Sequence, residues 1–367
     1  MRFDELLPLW SFLLALAVAR TIAPKLIAAA LAYGIVDVPK GALKVHKDPV
    51  PYLGGLVVFM SVVITLSATF AFDWAVLAIL LCASIVVSVG LVDDLGTLTP
   101  KDKLLGQLLA ALVLVKAGVE IRIEGWPTML PEVCSVFFML TCMNAFNILD
   151  VSDGLASTAA FVGAVALAAL AFLNGDTVVL VFSTTIAGAA LGFLHFNKQP
   201  ARMYLGDTGS LLFGALLGAL AMMSRYSTTN TLSPVFAPLA VLAIPFFDLA
   251  LVIVARLAAR KPIHHGSPDH FAVRFRDAGV SARRTTWIAG AIGACFAIAG
   301  LVSTRLDDAG VVVVALSSLA VGIGLLVVVL ARFPARTSPR YRPLAPPRDA
   351  PALTDAPERA ASDKSAS

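Results

Sequence analysis

Apolar residues in this chain fall in long, nearly unbroken runs separated by short polar stretches, with little period-two alternation. Eleven runs stand out, at about 6–31, 53–72, 74–92, 104–121, 132–149, 155–174, 177–196, 209–224, 233–255, 286–304 and 310–331. A bilayer-spanning helix needs roughly 20 mostly apolar residues, whereas a barrel strand needs about half that. Helices satisfy their own backbone groups within lipid. The pattern therefore predicts an all-α integral membrane protein with about eleven transmembrane helices. The first run is read as a span rather than a signal peptide, because Asp4 and Glu5 stand beside Arg2 and the apolar stretch is too long.

Composition supports this reading. Hydrophobic residues make up 58% of the 367 and charged residues 14%, with a mean hydropathy of +0.86. Soluble domains are closer to half apolar and a quarter charged. A soluble enzyme, a disordered regulator and a secreted disulfide scaffold are all excluded. Cys82, Cys134, Cys142 and Cys295 lie in apolar runs without zinc-ligand spacing and read as reduced. The net charge of +4 is mild, and no nucleic-acid partner is expected.

The placement of Lys and Arg is more informative than their sum. With the N-terminus outside and the C-terminus cytoplasmic, 21 of the 28 fall in cytoplasmic loops and the tail, as the positive-inside rule requires. Residues 1–331 read as one polytopic membrane domain. The segment 332–367, rich in Pro, Arg, Ala and Ser, reads as a disordered cytoplasmic tail.

On this topology the notable carboxylates share the cytoplasmic face. Asp93 and Asp94 end the third run, Asp150 and Asp153 follow the fifth, and Asp207 precedes the eighth. Acids gathered beside lipid repel one another and resist desolvation unless a cation compensates. Magnesium, which favours carboxylate oxygens and bridges to substrate phosphates, suits such a set. In isolation each acid also reads as a helix cap or solvated loop residue, and Lys103 as a snorkelling lysine as readily as a phosphate partner. Asn144, Asn147 and Asp150 follow one helix face. Polar residues on one face of a membrane helix point to a wet cavity or to a helix partner. Asp207-Thr208 sits between Gly206 and Gly209, and Thr208 or Ser210 can cap a helix starting near 210.

These segments, in this order, resemble the polyprenyl-phosphate N-acetylhexosamine-1-phosphate transferases of glycosyltransferase family 4. The likeness runs from about Asp37 to Thr285. It rests most strongly on 197–214 and on Asn144 through Leu155, with support from His46 and Gly54-Gly55 in the first loop and from Asp248 and Arg256 in the ninth run. It implies transfer of a sugar 1-phosphate from a UDP-sugar to polyprenyl phosphate, with the active site on the cytoplasmic face of the inner (cytoplasmic) membrane. It assigns catalytic roles to Asp93, Asp94, Asp150, Asp153 and Asp207. Mg²⁺, replaceable by Mn²⁺, would be held by Asp207, Asp93 and Asp94. Substrate contacts would come from His46, Lys103, Asn144, Asn147, Asn197, His270 and Arg274. Partners would be the UDP-sugar, the lipid acceptor and the surrounding membrane lipid, with a homodimer allowed. Val273 stands where the family commonly has a second histidine, so the implied donor is an N-acetylhexosamine of open identity. The competing class is a secondary transporter for an anionic solute, which expects interrupted helices with polar residues near mid-bilayer.

Overall fold

The computed structural model describes residues 3–37, 49–69, 73–121, 127, 129–226, 230–261 and 268–335. His46, the His264-His265 pair and the tail from 336 lie outside these residues. Helix α1 (Phe3–Tyr33) is followed by a two-residue antiparallel pair, β1 (Val36–Asp37) and β2 (Val50–Pro51), with Val36 opposite Pro51. Then come α2 (Gly54–Thr69), α3 (Trp74–Asp94), α4 (Pro100–Lys116), α5 (Met129–Leu149), α6 (Leu155–Asn174), α7 (Thr177–Asn197) and α8 (Gly206–Met223). The C-terminal part holds α9 (Ser233–Val241), α10 (Ala243–Ala258), α11 (Phe271–Asp277), α12 (Ala282–Ser303) and α13 (Asp308–Arg332).

Among the described residues, eight helices are long and apolar enough to cross a bilayer, or nine if the α9–α10 pair counts as one. The expected eleven even spans are therefore not reproduced: α2 is a shorter apolar helix, and α4 starts earlier and stops sooner than the run at 104–121. The ninth run, expected to be one continuous span, is broken at Leu242 with an 82° bend. Pro238 and Pro245 flank the break. Proline removes a backbone donor and clashes with the preceding turn, which makes such a bend local and sharp.

Local chemistry sets five of the helix starts. Asp73, Thr99, Asp176, Ser281 and Asp307 each accept a backbone N–H from the first turn of α3, α4, α7, α12 and α13. This is the usual N-cap arrangement. Helices α8 and α11 lack such a side chain at their own N-cap, where Leu205 and His270 stand. Their caps come from elsewhere in the fold.

The bundle is organised around α8. Every residue of α8 from Thr208 to Ala221 is buried, whereas α13 buries only Val311 and Val329, so α8 is the central post and α13 lies on the outside of the bundle. All four cysteines are free thiols. Small residues let α2 and α3 approach the start of α8 closely. A Cβ on Gly90 would meet the Thr208 Cα at 2.4 Å, and one on Gly55 would meet the Gly209 nitrogen at 2.3 Å. Membrane helices gain stability from such close contact, since lipid supplies no hydrophobic drive between them.

Gly90→Ala should therefore force α3 away from α8 and destabilise the protein by about 1–3 kcal/mol through overpacking. Gly322→Ala is the control, because nothing lies within 4 Å of its added methyl group. Thermal unfolding of the detergent-solubilised protein should show a lower Tm for the first variant only. Equal Tm values for both variants and wild type would remove the contact's importance.

Candidate active site

The third span ends in two adjacent carboxylates that do different work. Asp94 turns to the beginning of α8, where its Oδ1 accepts the Asp207 N–H at 2.7 Å. Its Oδ2 accepts the Thr208 N–H at 3.1 Å and the Thr208 hydroxyl at 2.6 Å. Asp94 is thus the missing cap of α8, supplied across the bundle. Sequence reasoning expected Thr208 or Ser210 to cap a helix starting near 210. The helix begins at Gly206 instead, and Thr208 donates to its cap rather than being one. Gly206 has φ +72°, and a Cβ there would come within 2.6 Å of the Asp94 carboxylate. Glycine admits that conformation without steric cost.

Asp93 points to a different partner. Its Oδ2 lies 2.8 Å from the Lys103 ammonium on the first turn of α4, and the same ammonium contacts Asp207 Oδ2. Lys103 also donates to Asn147 Oδ1 at 3.3 Å. Asn147 in turn donates to Ser210 Oγ at 3.1 Å, fixing its amide between α5 and α8. Four helices therefore meet at one cation: α3, α4, α5 and α8. Asp93 and Asp207 retain 20% and 35% side-chain exposure, so the cluster is open on one side.

Asp150 stands just past the end of α5. Burial pushes its carboxyl pKa well above the ordinary carboxylate range, and the nearby Asp207, Asp94 and Asp153 carboxylates push it the same way. Asp153 accepts the Ala201 N–H at 3.1 Å, while Thr286 of α12 donates to its backbone carbonyl at 3.3 Å. Asn197 is bonded within the frame that holds these loops together. Its Oδ1 accepts the Gly154 N–H at 3.2 Å and the Ser157 hydroxyl at 2.9 Å, and its amide donates to the Met203 carbonyl at 3.1 Å. The Gly54 and Gly55 N–H groups donate to the carbonyls of Tyr204 and Leu205, at 3.0 and 2.9 Å. This stitches the end of the first loop to the loop before α8. Tyr204 has its phenol pKa raised to about 12 by burial and by Asp153 and Asp37.

Asn144 does not join Lys103. It donates to Gln107 Oε1 at 2.6 Å and to the Leu140 carbonyl at 2.8 Å. Gln107, almost fully buried, escaped the sequence reading. The available signal was its spacing of four from Lys103, which places both on one face of α4.

His270 and Arg274 form a second cluster with their own partners. The segment between α10 and α12 contains α11, with Phe271, Ala272, Val273 and Arg274 buried. Asp248 of α10 receives the His270 ring nitrogen Nδ1 at 2.8 Å and the Phe271 N–H at 3.0 Å, and so caps α11 across the bundle. Arg274 donates from Nε to the Asp269 carbonyl at 2.8 Å, from Nη2 to its carboxylate at 3.1 Å, and from Nη1 to the Phe333 carbonyl at 2.9 Å. The Phe275 and Phe333 rings also meet, with centroids 4.6 Å apart.

Among the described residues, no three His, Cys, Asp or Glu side chains already converge as a metal cluster. The donor set nonetheless suits a hard divalent ion, because Asp93 and Asp207 reach a single cation. Magnesium is commonly held by one or two carboxylates, with substrate phosphates and water completing its shell.

Comparison with known proteins adds an independent line. The profile of glycosyl transferase family 4 matches residues 76–225, which include the whole acid cluster. The chain is 30% identical over 304 residues to a probable undecaprenyl-phosphate N-acetylglucosaminyl 1-phosphate transferase of Bacillus subtilis, covering 80% of this chain and 84% of the relative. It is 32% identical over 295 residues to a decaprenyl-phosphate N-acetylglucosaminephosphotransferase of Mycolicibacterium smegmatis, covering 70% and 72% respectively. It is also 30% identical over 286 residues to a phospho-N-acetylmuramoyl-pentapeptide-transferase of Heliobacterium modesticaldum, covering 71% and 87%.

The raised pKa of Asp150 has a testable sign. A carboxyl that binds its proton more tightly folded than unfolded contributes stability below its unfolded pKa. That contribution is lost as pH rises toward the folded value. In buffer with divalent ions chelated, wild-type Tm should fall with rising pH across this window, and Asp150→Asn should flatten the fall. Parallel Tm–pH curves for the two proteins would show that the Asp150 carboxyl does not carry the effect.

Proposed function

The chain belongs to glycosyl transferase family 4, and on that footing we propose that it transfers a sugar 1-phosphate from a UDP-N-acetylhexosamine to a polyprenyl phosphate such as undecaprenyl phosphate. The carrying observation is the convergence of Asp93, Asp207 and Asn147, from three helices, on the Lys103 ammonium of a fourth. In this reaction an oxygen of the lipid phosphate attacks the sugar-linked phosphorus of the donor. The bond from that phosphorus to the UMP phosphate oxygen breaks. The products are polyprenyl-diphosphate-sugar and UMP, and the step would initiate synthesis of a cell-envelope glycan.

Two anions must be brought together, so the residues act chiefly by positioning and by charge compensation. Asp93 and Asp207 would hold Mg²⁺, or Mn²⁺ in its place. When bound, that ion would neutralise negative charge on the donor diphosphate. Both oxygens of Asp94 are taken by the start of α8, so its part is to fix Asp207 in place. Lys103 would meet phosphate oxygens. Asp150 and Asp153 would orient the nucleotide beside this cluster, from the loop tied to Ala201 and α12. A lipid phosphate is already largely ionised at neutral pH, as its second pKa is near 6 in phosphate esters, so the attacking oxygen needs no strong base.

A lipid acceptor is supported by an apolar cavity of about 530 Å³ between the broken α9–α10 pair, α11, α12 and α13, lined by Phe236, Phe247, Phe271, Ile292, Leu319 and Val329 among others. The break at Leu242 is also a feature that a transporter reading expects. The family membership, together with the acids grouped at helix ends, favours transfer chemistry.

Asp207→Asn should lower turnover by about 10²–10³ or more, by analogy with the loss of a charge-stabilising group, while leaving the protein folded in detergent. The assay is formation of labelled lipid product from polyprenyl phosphate and a panel of radiolabelled UDP-sugars with Mg²⁺. Normal turnover by the folded variant would sink the metal assignment. The cytoplasmic placement has its own test. In a cysteine-free background, Thr97→Cys, which is exposed in the loop after α3, should resist a membrane-impermeant thiol reagent added outside intact cells. Labelling there would reverse the topology.

A further inference from the structure

We propose that the Lys103 ammonium holds the cation position between Asp93 and Asp207, so that a divalent ion binds by displacing it onto the donor's diphosphate. This rests on the transferase reading above and deepens it: metal loading becomes coupled to donor binding through one lysine.

The bonding of Lys103 carries the argument. An ammonium has three N–H donors and no acceptor. Here all three have oxygen partners: Asp93 at 2.8 Å, Asp207, and Asn147 at 3.3 Å. The partners belong to three different helices, α3, α8 and α5, so Lys103 ties all three to α4. Asp93 and Asp207 would otherwise face each other as like charges in a partly desolvated recess, an arrangement that needs a cation. A divalent ion and the ammonium cannot both occupy the space between the two carboxylates.

The means of exchange is also present. The head of Lys103 sits on a flexible four-carbon stem, and α4 anchors that stem at its first turn, with Thr99 as cap and Pro100 at the start. Asn147 is held by Ser210 from the opposite side, so its carbonyl oxygen stays in place when the ammonium leaves. Asp207 is the most exposed of the acids that contact Lys103, which leaves the open side of the cluster as the route for an incoming diphosphate. A diphosphate arriving there offers the displaced ammonium anionic oxygens and gives the metal the ligands that two carboxylates alone do not supply.

The test is a Mn²⁺ titration of the purified full-length protein, read by the electron paramagnetic resonance signal of unbound Mn²⁺, with and without UDP. Mg²⁺ competition defines the site. In wild type, UDP should tighten Mn²⁺ binding roughly tenfold or more, a size typical of groups that tune a metal site from beside it. Lys103→Met should bind Mn²⁺ more tightly than wild type without UDP, and should lose most of the enhancement by UDP. Lys101→Met removes an equal charge from an exposed position two residues away and should behave as wild type. Mn²⁺ affinity in wild type that ignores UDP would overturn the proposal without any variant. So would a Lys103→Met protein with unchanged or weaker affinity, or a Lys101→Met protein that matches it. Failure of the transferase reading shows up separately, as absence of labelled lipid product from wild type with every UDP-sugar tried.

Discussion

The bond on which the site most depends runs from the Asp94 carboxylate to the first turn of α8. A helix begins with backbone N–H groups that have no partner within the helix itself. Leu205, the residue at the N-cap of α8, cannot accept them. Asp94 accepts two N–H groups and a hydroxyl, and in doing so pins the end of α3 to the beginning of the central helix. The adjacent Asp93 is then delivered beside Asp207 without any separate device. The close approach at Gly90 and Gly55 is the steric counterpart of the same contact.

The pattern occurs twice. At α11 the local N-cap again has no side-chain bond, and Asp248 from α10 supplies it. Both trans caps are carboxylates, which the positive end of a helix dipole favours. Both fix a helix that carries residues assigned to chemistry: Asp207 on α8 and Arg274 on α11. Asp93, Lys103, Asn147 and Asp207 are thereby held on scaffold helices rather than on loops, and their side chains inherit the rigidity of the bundle.

The sequence made much of this legible, for physical reasons that differ by element. Long apolar runs declared α1, α3, α5, α6, α7, α12 and α13, because lipid demands length. The acids at 93–94, 150–153 and 207 were visible because charges at helix ends beside lipid are rare without cause. What escaped was relational. Nothing local says that Asp94 rather than Thr208 caps α8, since the partner lies more than a hundred residues away. The basic character of 256–285 hid α11, whose seven residues bury Phe271 and Val273 against the bundle while Arg276 and Asp277 leave it polar in composition. The break at Leu242 lay between two prolines inside a run whose hydropathy alone looked continuous.

That break has a geometric consequence for the membrane itself. Nine helical residues rise about 14 Å, less than half of a hydrocarbon core of about 30 Å. Helix α9 therefore cannot cross by itself, and α10 leaves it at 82°. Two segments at that angle cannot both run along the bilayer normal, so at least one of them lies across the direction of the lipid tails rather than beside them.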